Sequence, residues 1–316
     1  MVGFSILVLL YKSDMKSILL TLKSIVLQDF KDYEIVVSDD GTHCMDIERI
    51  KAFMDEYKIT DYKLLDNDVN RGTVSHIREA LKSCSGRYIK PIGAGDLLYD
   101  EKVLGDVWDF MEAGNREFAF GRLQSFYRQG DAIVFNNACN PPMNKIPYIK
   151  NDDKKIYRSV LFHRDFVSGA SLFIRKDVFG KYLERIEGKI RYAEDYIQLL
   201  ATVDGIRIRM IDRYVVYYES ASGISREAPT GNSRLDPDRR KIWELVDEAT
   251  SDPKLKRNIK IRAKMKSIKN NKLMSLYKIT HFPSAYYFKY EKNKSMNGLK
   301  TVNEGFLSLP DFANEG

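Results

Sequence analysis

Across residues 4–96, short apolar runs alternate with segments whose apolar residues recur at helical spacing, and that alternation admits few folds. Residues 5–10 form a nearly unbroken apolar run, as in a parallel strand buried on both faces. Ile18, Leu19, Leu22, Ile25 and Val26 then recur on one side of a helix. Residues 34–38 read as a second strand that runs into Asp39-Asp40-Gly41-Thr42, and a helix follows through Ile47, Ile50 and Phe53. Residues 62–65 read as a third strand, and Val74, Ile77, Ala80 and Leu81 mark the next helix. Residues 87–92 read as a fourth strand, ending at Gly93-Ala94-Gly95-Asp96. This order predicts an α/β fold with a mostly parallel sheet flanked by helices. Ligands of such sheets bind beyond the carboxyl ends of the strands. The acids Asp39, Asp40 and Asp96 all fall at those ends.

The middle of the chain is less regular. Residues 118–127 and 132–135 suggest a hairpin, and residues 136–153, rich in Asn, Pro and Asp, read as a long loop. A strand over 171–175 leads into a short helix from Lys176, and residues 193–203 read as a helix that opens on Glu194-Asp195. Two strands are expected over 206–211 and 214–218. Near Arg226 the character changes, with 228–233 resembling a linker and a helical, Lys-rich stretch beyond. The expected organisation is a first domain over 1–225 and a helical, basic region over 226–316.

With 316 residues, 44% of them hydrophobic, the chain can bury a sizeable core. Cys44, Cys84 and Cys139 are too sparse for a disulfide framework or a zinc site and fit a reducing compartment. No run reaches the ~20 apolar residues of a membrane span. The apolar start of the chain lacks a basic leader and a cleavage site, so it reads as a strand. The expected location is cytoplasmic, soluble or peripheral at the inner face of a membrane. The net charge of +7 is uneven, with nine Lys and Arg and no acid between Lys254 and Lys272. Among those lysines, Leu255, Ile259, Ile261, Met265 and Ile268 recur at roughly a helical turn. Over 254–290 this fits either an amphipathic helix docked on an anionic membrane surface or an appendage packed on the first domain.

A set of motifs now carries a resemblance. Ser5-Ile6-Leu7-Val8, Tyr11, Leu22-Lys23-Ser24-Ile25, Gln28-Asp29-Phe30 and the run from Tyr33 to Thr42 look, together, like family 2 of the GT-A glycosyltransferases. Asn70-Arg71-Gly72, Arg78, Ala80-Leu81 and Ser85-Gly86-Arg87-Tyr88-Ile89 continue the likeness, and Glu194-Asp195-Tyr196 closes it. The resemblance implies a Rossmann-like GT-A sheet and an inverting transferase that uses a nucleotide-sugar donor, with 1–225 as the catalytic domain, about 1–98 its nucleotide-binding half and 99–225 its acceptor-binding half. It implies that Asp40 accepts a hydrogen bond from the base, which suits uracil or thymine, though guanine also offers a donor. Tyr11 is then placed to flank the base, a contact worth ~1–3 kcal/mol. Leu9, Asp39 and Arg78 are assigned to the same nucleotide pocket. Capping of the following helix would equally account for Asp39, and an ordinary helix ion pair for Arg78.

At Asp96 the family usually carries an acidic pair that holds Mg²⁺ or Mn²⁺ against the diphosphate. Here Gly93-Ala94-Gly95-Asp96 leaves one carboxylate, and Gly95 stands where relatives place the acid that touches the ribose. Asp96 is therefore expected to hold the cation weakly and only with donor bound. By the same resemblance, Asp195 is the general base, Glu194 its support, and Gly169, Ala170, Ser171 and His163 approach sugar or acceptor. Glu219 and residues 223–225 lie where relatives place a late active-site loop. The expected partners are a UDP- or dTDP-sugar and a saccharide or lipid-linked saccharide acceptor. A catalytically inactive nucleotide-sugar-binding relative is the alternative. A nucleic-acid partner is not expected, because a Lys-rich stretch alone is non-specific.

Overall fold

The computed structural model describes residues 2–129, 132–140, 143–221, 233–265, 267–296, 305–309 and 312. Residues 223–225 and most of the expected linker lie outside them. The first two-thirds alternate strand and helix. They run β1 (Phe4–Leu10), α1 (Met15–Val26), β2 (Tyr33–Asp39), α2 (Ile47–Glu56), β3 (Tyr62–Asp66), α3 (Thr73–Leu81), β4 (Tyr88–Gly93), β5 (Leu97–Leu98) and α4 (Val103–Ala113). Then come β6 (Phe118–Gln129), β7 (Ala132–Asn140), α5 (Ile146–Ile149), α6 (Asp153–Tyr157), β8 (Leu172–Arg175), α7 (Lys176–Ile186), α8 (Ile197–Val203) and β9 (Ile208–Glu219). Four further helices follow, α9 (Asp236–Ala249), α10 (Pro253–Met265), α11 (Asn271–His281) and α12 (Ser284–Met296).

The strands form one sheet in the order β3-β2-β1-β4-β8-β6-β9-β5, with β7 paired to β6. Its first four strands are parallel, whereas β8 joins β4 and β6 antiparallel. β6 and β9 run parallel again. Side chains of a strand alternate between its faces, and β1 shows what that achieves. Leu7 joins one buried cluster with Val36, Ile77 and Ile89, while Phe4, Ile6, Val8 and Leu10 join a second with Ile35, Val37 and Ile92. The sheet thus has a core on each face, which is why β1, β2 and β4 read as apolar runs rather than alternating ones. α1 begins where Asp14 accepts the Ser17 amide at 2.8 Å, and it turns Ile18, Leu22 and Ile25 inward.

Two sequence expectations change, and one open alternative is narrowed. β7 continues to Asn140 and α5 begins at Ile146, so residues 136–153 are not one unstructured loop. The two short strands expected over 206–218 are the single strand β9, whose register against β6 shifts around Gly121. A Cβ at Gly121 would lie 2.3 Å from Val215 Cγ1, so the crossing of these strands requires glycine. Finally, Leu255 and Ile259 of α10 are buried in the same core cluster as Ile242 and Val246 of α9. Of the two arrangements open to this stripe, these two positions take the packed one. No helix among the described residues is long and apolar enough to cross a membrane.

Candidate active site

A cleft opens beyond the carboxyl ends of β1, β2 and β4. Its smaller chamber, about 100 Å³, is lined by Leu9, Tyr11, Asp40, Asn70, His76 and Tyr192. A larger chamber, about 550 Å³, is lined by Asp96, Gly169, Ala170, Glu194 and Asp195. The two share Leu9, Tyr11, Thr73 and Tyr192, so Asp40, Asp96 and Asp195 face one continuous space.

Each acid is held differently. The Asp40 carboxylate accepts the Arg71 amide at 2.8 Å and the Gly72 amide at 3.0 Å. Gly72 has φ +80°, a left-handed conformation that glycine supplies without strain, and from it α3 departs. Asp96 follows Gly95 (φ +96°) and accepts the Glu219 amide at 2.8 Å. Asp195 lies in a 3₁₀ turn over Glu194–Tyr196 that leads into α8. The turn is gripped from two sides. Gln198 donates to the Asp195 and Val167 carbonyls at 2.7 and 2.8 Å and accepts the Val167 amide at 2.7 Å. Asp238, buried on α9, accepts the amides of Arg191, Tyr192 and Ala193 at 3.1, 2.7 and 3.1 Å. One carboxylate so satisfies three amides that precede a helix and lack intrahelical partners.

The family model for glycosyl transferase family 2 matches residues 5–183, more than half of the chain. The chain belongs to glycosyl transferase family 2. It is 27% identical over 108 residues to poly-beta-1,6-N-acetyl-D-glucosamine synthase of Staphylococcus epidermidis. That match spans 34% of this chain and 25% of the relative. Among solved structures, it is similar to S. aureus TarS 1-349 in complex with UDP-GlcNAc, with TM-score 0.59 and 16% identity over 93% of this chain and 81% of that one. The complex of the same protein with UDP gives TM-score 0.57 at 16% identity, over 93% and 88% of the two chains. At such identity the likeness speaks for the fold, the GT-A architecture.

In this glycosyltransferase the acids of the larger chamber hold their protons unusually well. Burial pushes Asp195 up to about 6, against the pull of the Gly169 amide. Burial, and then the neighbouring Asp195, push Glu194 up to about 8. Two adjacent carboxyls in a poorly solvated site resist double ionisation, so near neutral pH the pair holds on to one proton between them. Asp96 is pushed up to about 7 by burial, opposed by the Glu219 amide and by the Lys90 charge. Lys90 is itself fully buried and pushed down to about 7 by that burial, although Asp96 favours its charge. Its ammonium donates to the Ala170 carbonyl and lies 4.9 Å over the Phe173 ring. Lys90 therefore ties β4, the strand that leads to Asp96, to the segment facing Asp195.

Gly169 is the tight point. A Cβ there would lie 2.5 Å from Glu194 Oε1 and 3.5 Å from Asp195 Cβ. Ala170 lines the cleft beside it, whereas Ser171 is buried behind with its hydroxyl on the Ser168 carbonyl. Gly95 does not line the cleft, and its amide donates to Thr21 Oγ1 at 2.9 Å. Glu219 stands beside Asp96 through its amide.

Three further expected residues are placed elsewhere. Asp39 is fully buried and turned away, accepting from the Thr42 amide and hydroxyl, the His43 amide and Cys44 Sγ. Burial would raise it, but those hydrogen bonds prevail and hold it below the ordinary carboxylate value. Arg78 points away from the cleft and pairs with Glu187, with Glu184 at 3.8 Å. His163 stacks on Phe288 of α12 at 4.2 Å between ring centroids, and burial with the charge of Arg262 pushes it down to about 4. It braces a C-terminal helix and does not reach the sugar site.

Other residues of the site escaped sequence reasoning. His76 is buried at the smaller chamber with Nε2 at 2.8 Å from the Ser38 hydroxyl. Lys90 does leave a signal, a lysine in the middle of an otherwise apolar central strand. Asp238 leaves none, because an acid in the first turn of a helix already looks like ordinary helix chemistry. Lys12, on the cleft with φ +53°, brings the cation nearest in sequence to Tyr11, 5.5 Å from its ring.

Proposed function

We propose that this glycosyltransferase moves a hexosyl or N-acetylhexosaminyl residue from a UDP- or dTDP-sugar to a saccharide or lipid-linked saccharide, with inversion at the anomeric carbon. The observation that carries this reading is the convergence of Asp40, Asp96 and Asp195 on one cleft. Asp40 accepts a base N–H in the smaller chamber, with Tyr11 against the ring. Asp195 takes the proton of the acceptor hydroxyl as its oxygen attacks the anomeric carbon. The bond from that carbon to the diphosphate oxygen breaks on the opposite side, and the nucleoside diphosphate leaves. Glu194, protonated beside it, keeps a second negative charge away from the base. The resemblance to a poly-N-acetylglucosamine synthase and to TarS bound to UDP-GlcNAc supports an N-acetylglucosamine donor and a part in surface polysaccharide assembly.

A divalent cation fits the donor set in part. Among the described residues no group of three or more His, Cys, Asp or Glu could hold a metal. Asp96 offers the oxygen not occupied by the Glu219 amide, Glu219 adjoins it, and the buried Lys90 charge competes. Mg²⁺ or Mn²⁺ bound here would neutralise charge on the leaving diphosphate. Calorimetric titration with Mn²⁺ is expected to show binding only when UDP is present. Tight binding to the free protein would contradict the single-carboxylate reading.

The test of the whole reading is a panel of nucleotide sugars screened for thermal stabilisation, followed by NMR of the product's anomeric configuration. Stabilisation by a UDP- or dTDP-sugar and an inverted product are expected. Stabilisation by none of them, or a retained configuration, would refute it.

A further inference from the structure

Helices α11 and α12 carry a face that the body of the protein leaves uncovered. No residue of α11 is buried. Leu273, Leu276 and Ile279, spaced three apart on one side of that helix, are 55%, 58% and 52% exposed. On α12, Tyr286, Tyr287 and Tyr290 are exposed as well. The inner side of α12 is fixed by Phe288 stacked on His163 and by Lys292, which donates to Asp165 at 2.6 Å. The tyrosines, on the other side of the helix, therefore point outward. Single exposed apolar residues are ordinary, but six on two successive helices are not.

The charge around this face has one sign. Residues 253–296 hold thirteen Lys and Arg against a single acid, Glu291. That acid turns inward toward Asn144 and Lys155. Lys272, Lys278, Lys289 and Lys294 are exposed among the apolar residues. Phosphate-rich nucleic acid would use the lysines but leave the aliphatic trio in water. A second copy of the chain would bring two positive faces together, which their repulsion opposes. An anionic lipid surface satisfies both features.

We propose that the α11–α12 face docks on an anionic bilayer. Leu273, Leu276 and Ile279 enter the boundary of the acyl chains, the tyrosines sit among the headgroups, and the lysines meet lipid phosphates. The contact surface is thus α11 and α12, while the apolar stripe of α10 serves the core through Leu255 and Ile259. α12 also packs on the segment through Asp165, and that segment continues at Phe166 into the lining of the cleft. Docking would set the acceptor end of the cleft near lipid. The surface stands independently of the transfer reaction, and its test needs neither donor nor acceptor.

The experiment is co-sedimentation with vesicles of phosphatidylglycerol and phosphatidylcholine in equal parts, against vesicles of phosphatidylcholine alone. The protein is expected to sediment with the anionic vesicles, less as salt rises, and to stay in solution with the neutral ones. A lysine near an anionic surface contributes about fivefold in affinity, the equivalent of ~1 kcal/mol. Lys272→Glu with Lys278→Glu is therefore expected to weaken binding by at least about 25-fold. Leu273→Asp with Leu276→Asp is expected to abolish it at an unchanged thermal midpoint. The lysine variant touches no packed residue and keeps the test decisive if the aspartates unfold the helix. No sedimentation with anionic vesicles at low salt, or undiminished binding by the lysine variant, overturns the proposal. So does a dimer in light scattering that these substitutions dissociate while vesicles bind nothing.

Discussion

The two ends of the cleft use the same residue type for opposite purposes, and the difference lies in where the backbone amides point. At the nucleotide end, loop amides turn into the carboxylates. Asp40 collects those of Arg71 and Gly72, and Asp39 collects those of Thr42 and His43. At the other end, the amides of Arg191, Tyr192 and Ala193 turn away from Glu194 and Asp195 and into Asp238. A carboxylate given several amides is anchored as an acceptor, as the lowered Asp39 illustrates. Acids buried with few donors become proton carriers, and Glu194 and Asp195 are both raised. On the function proposed above, one end would serve recognition and the other proton transfer.

The sharpest way to break this contrast is Asp195→Asn. Loss of a positioned general base is expected to lower kcat by about 10²–10⁴-fold while the affinity for UDP, by calorimetry, stays unchanged. In the parent, kcat is expected to climb as pH rises through about 6, where Asp195 gives up its proton, and the variant should lose that dependence. If UDP affinity falls together with kcat, the two ends are not separable. Gly169→Ala comes next. The added Cβ would press on Glu194 Oε1 at 2.5 Å but meet Asp195 Cβ at an ordinary 3.5 Å, so turning the Glu194 carboxyl aside is expected to cost kcat about 10-fold. Full activity in that variant would mean that the pair need not hold its position.

Asp40→Ala tests the opposite end. It removes the acceptor for the base and strands two loop amides, so UDP affinity is expected to fall about 10–100-fold, the ~1.5–3 kcal/mol of a hydrogen bond to a charged group. At saturating donor, kcat is expected to change little. A kcat loss as large as that of Asp195→Asn, with UDP affinity intact, would reverse the assignment of the two ends.

How far the sequence revealed all this follows the same division. The nucleotide end comes from consecutive strand–helix units, where each strand ends a few residues before its acid. Periodicity therefore located Asp40 and Asp96 at strand ends. The proton-transfer end is assembled from Gly169, Asp195 and Asp238, brought together only by the antiparallel part of the sheet and by α9. Local pattern carries no trace of such encounters, and Asp238 went unread. Arg78 and His163 show the converse. Both sit close in sequence to cleft residues, yet the side chain of each meets Glu187 or Phe288 instead. The family model itself ends at residue 183, short of Glu194.

The smallest effects should be the most discriminating, because the two ends are expected to give stability slopes of opposite sign. Glu194 is raised from an ordinary 4.5 to about 8, so the folded protein keeps a proton that the unfolded chain releases in between. Its contribution is complete below about 4.5 and is lost as pH climbs through about 8. Glu194→Gln cannot ionise, so its melting temperature is expected to gain on the parent's from pH ~5 to ~8, by on the order of a few degrees. Asp39 is lowered from 3.8, so its contribution is present above that value and disappears only as the solution becomes more acidic. Asp39→Asn is accordingly expected to melt below the parent throughout the neutral range and to approach it only in acid. Differential scanning calorimetry of both variants from pH ~2 to ~8 covers both windows and separates the cases. Parallel, pH-independent offsets would show that the amides do not sort these acids as the hydrogen bonding implies.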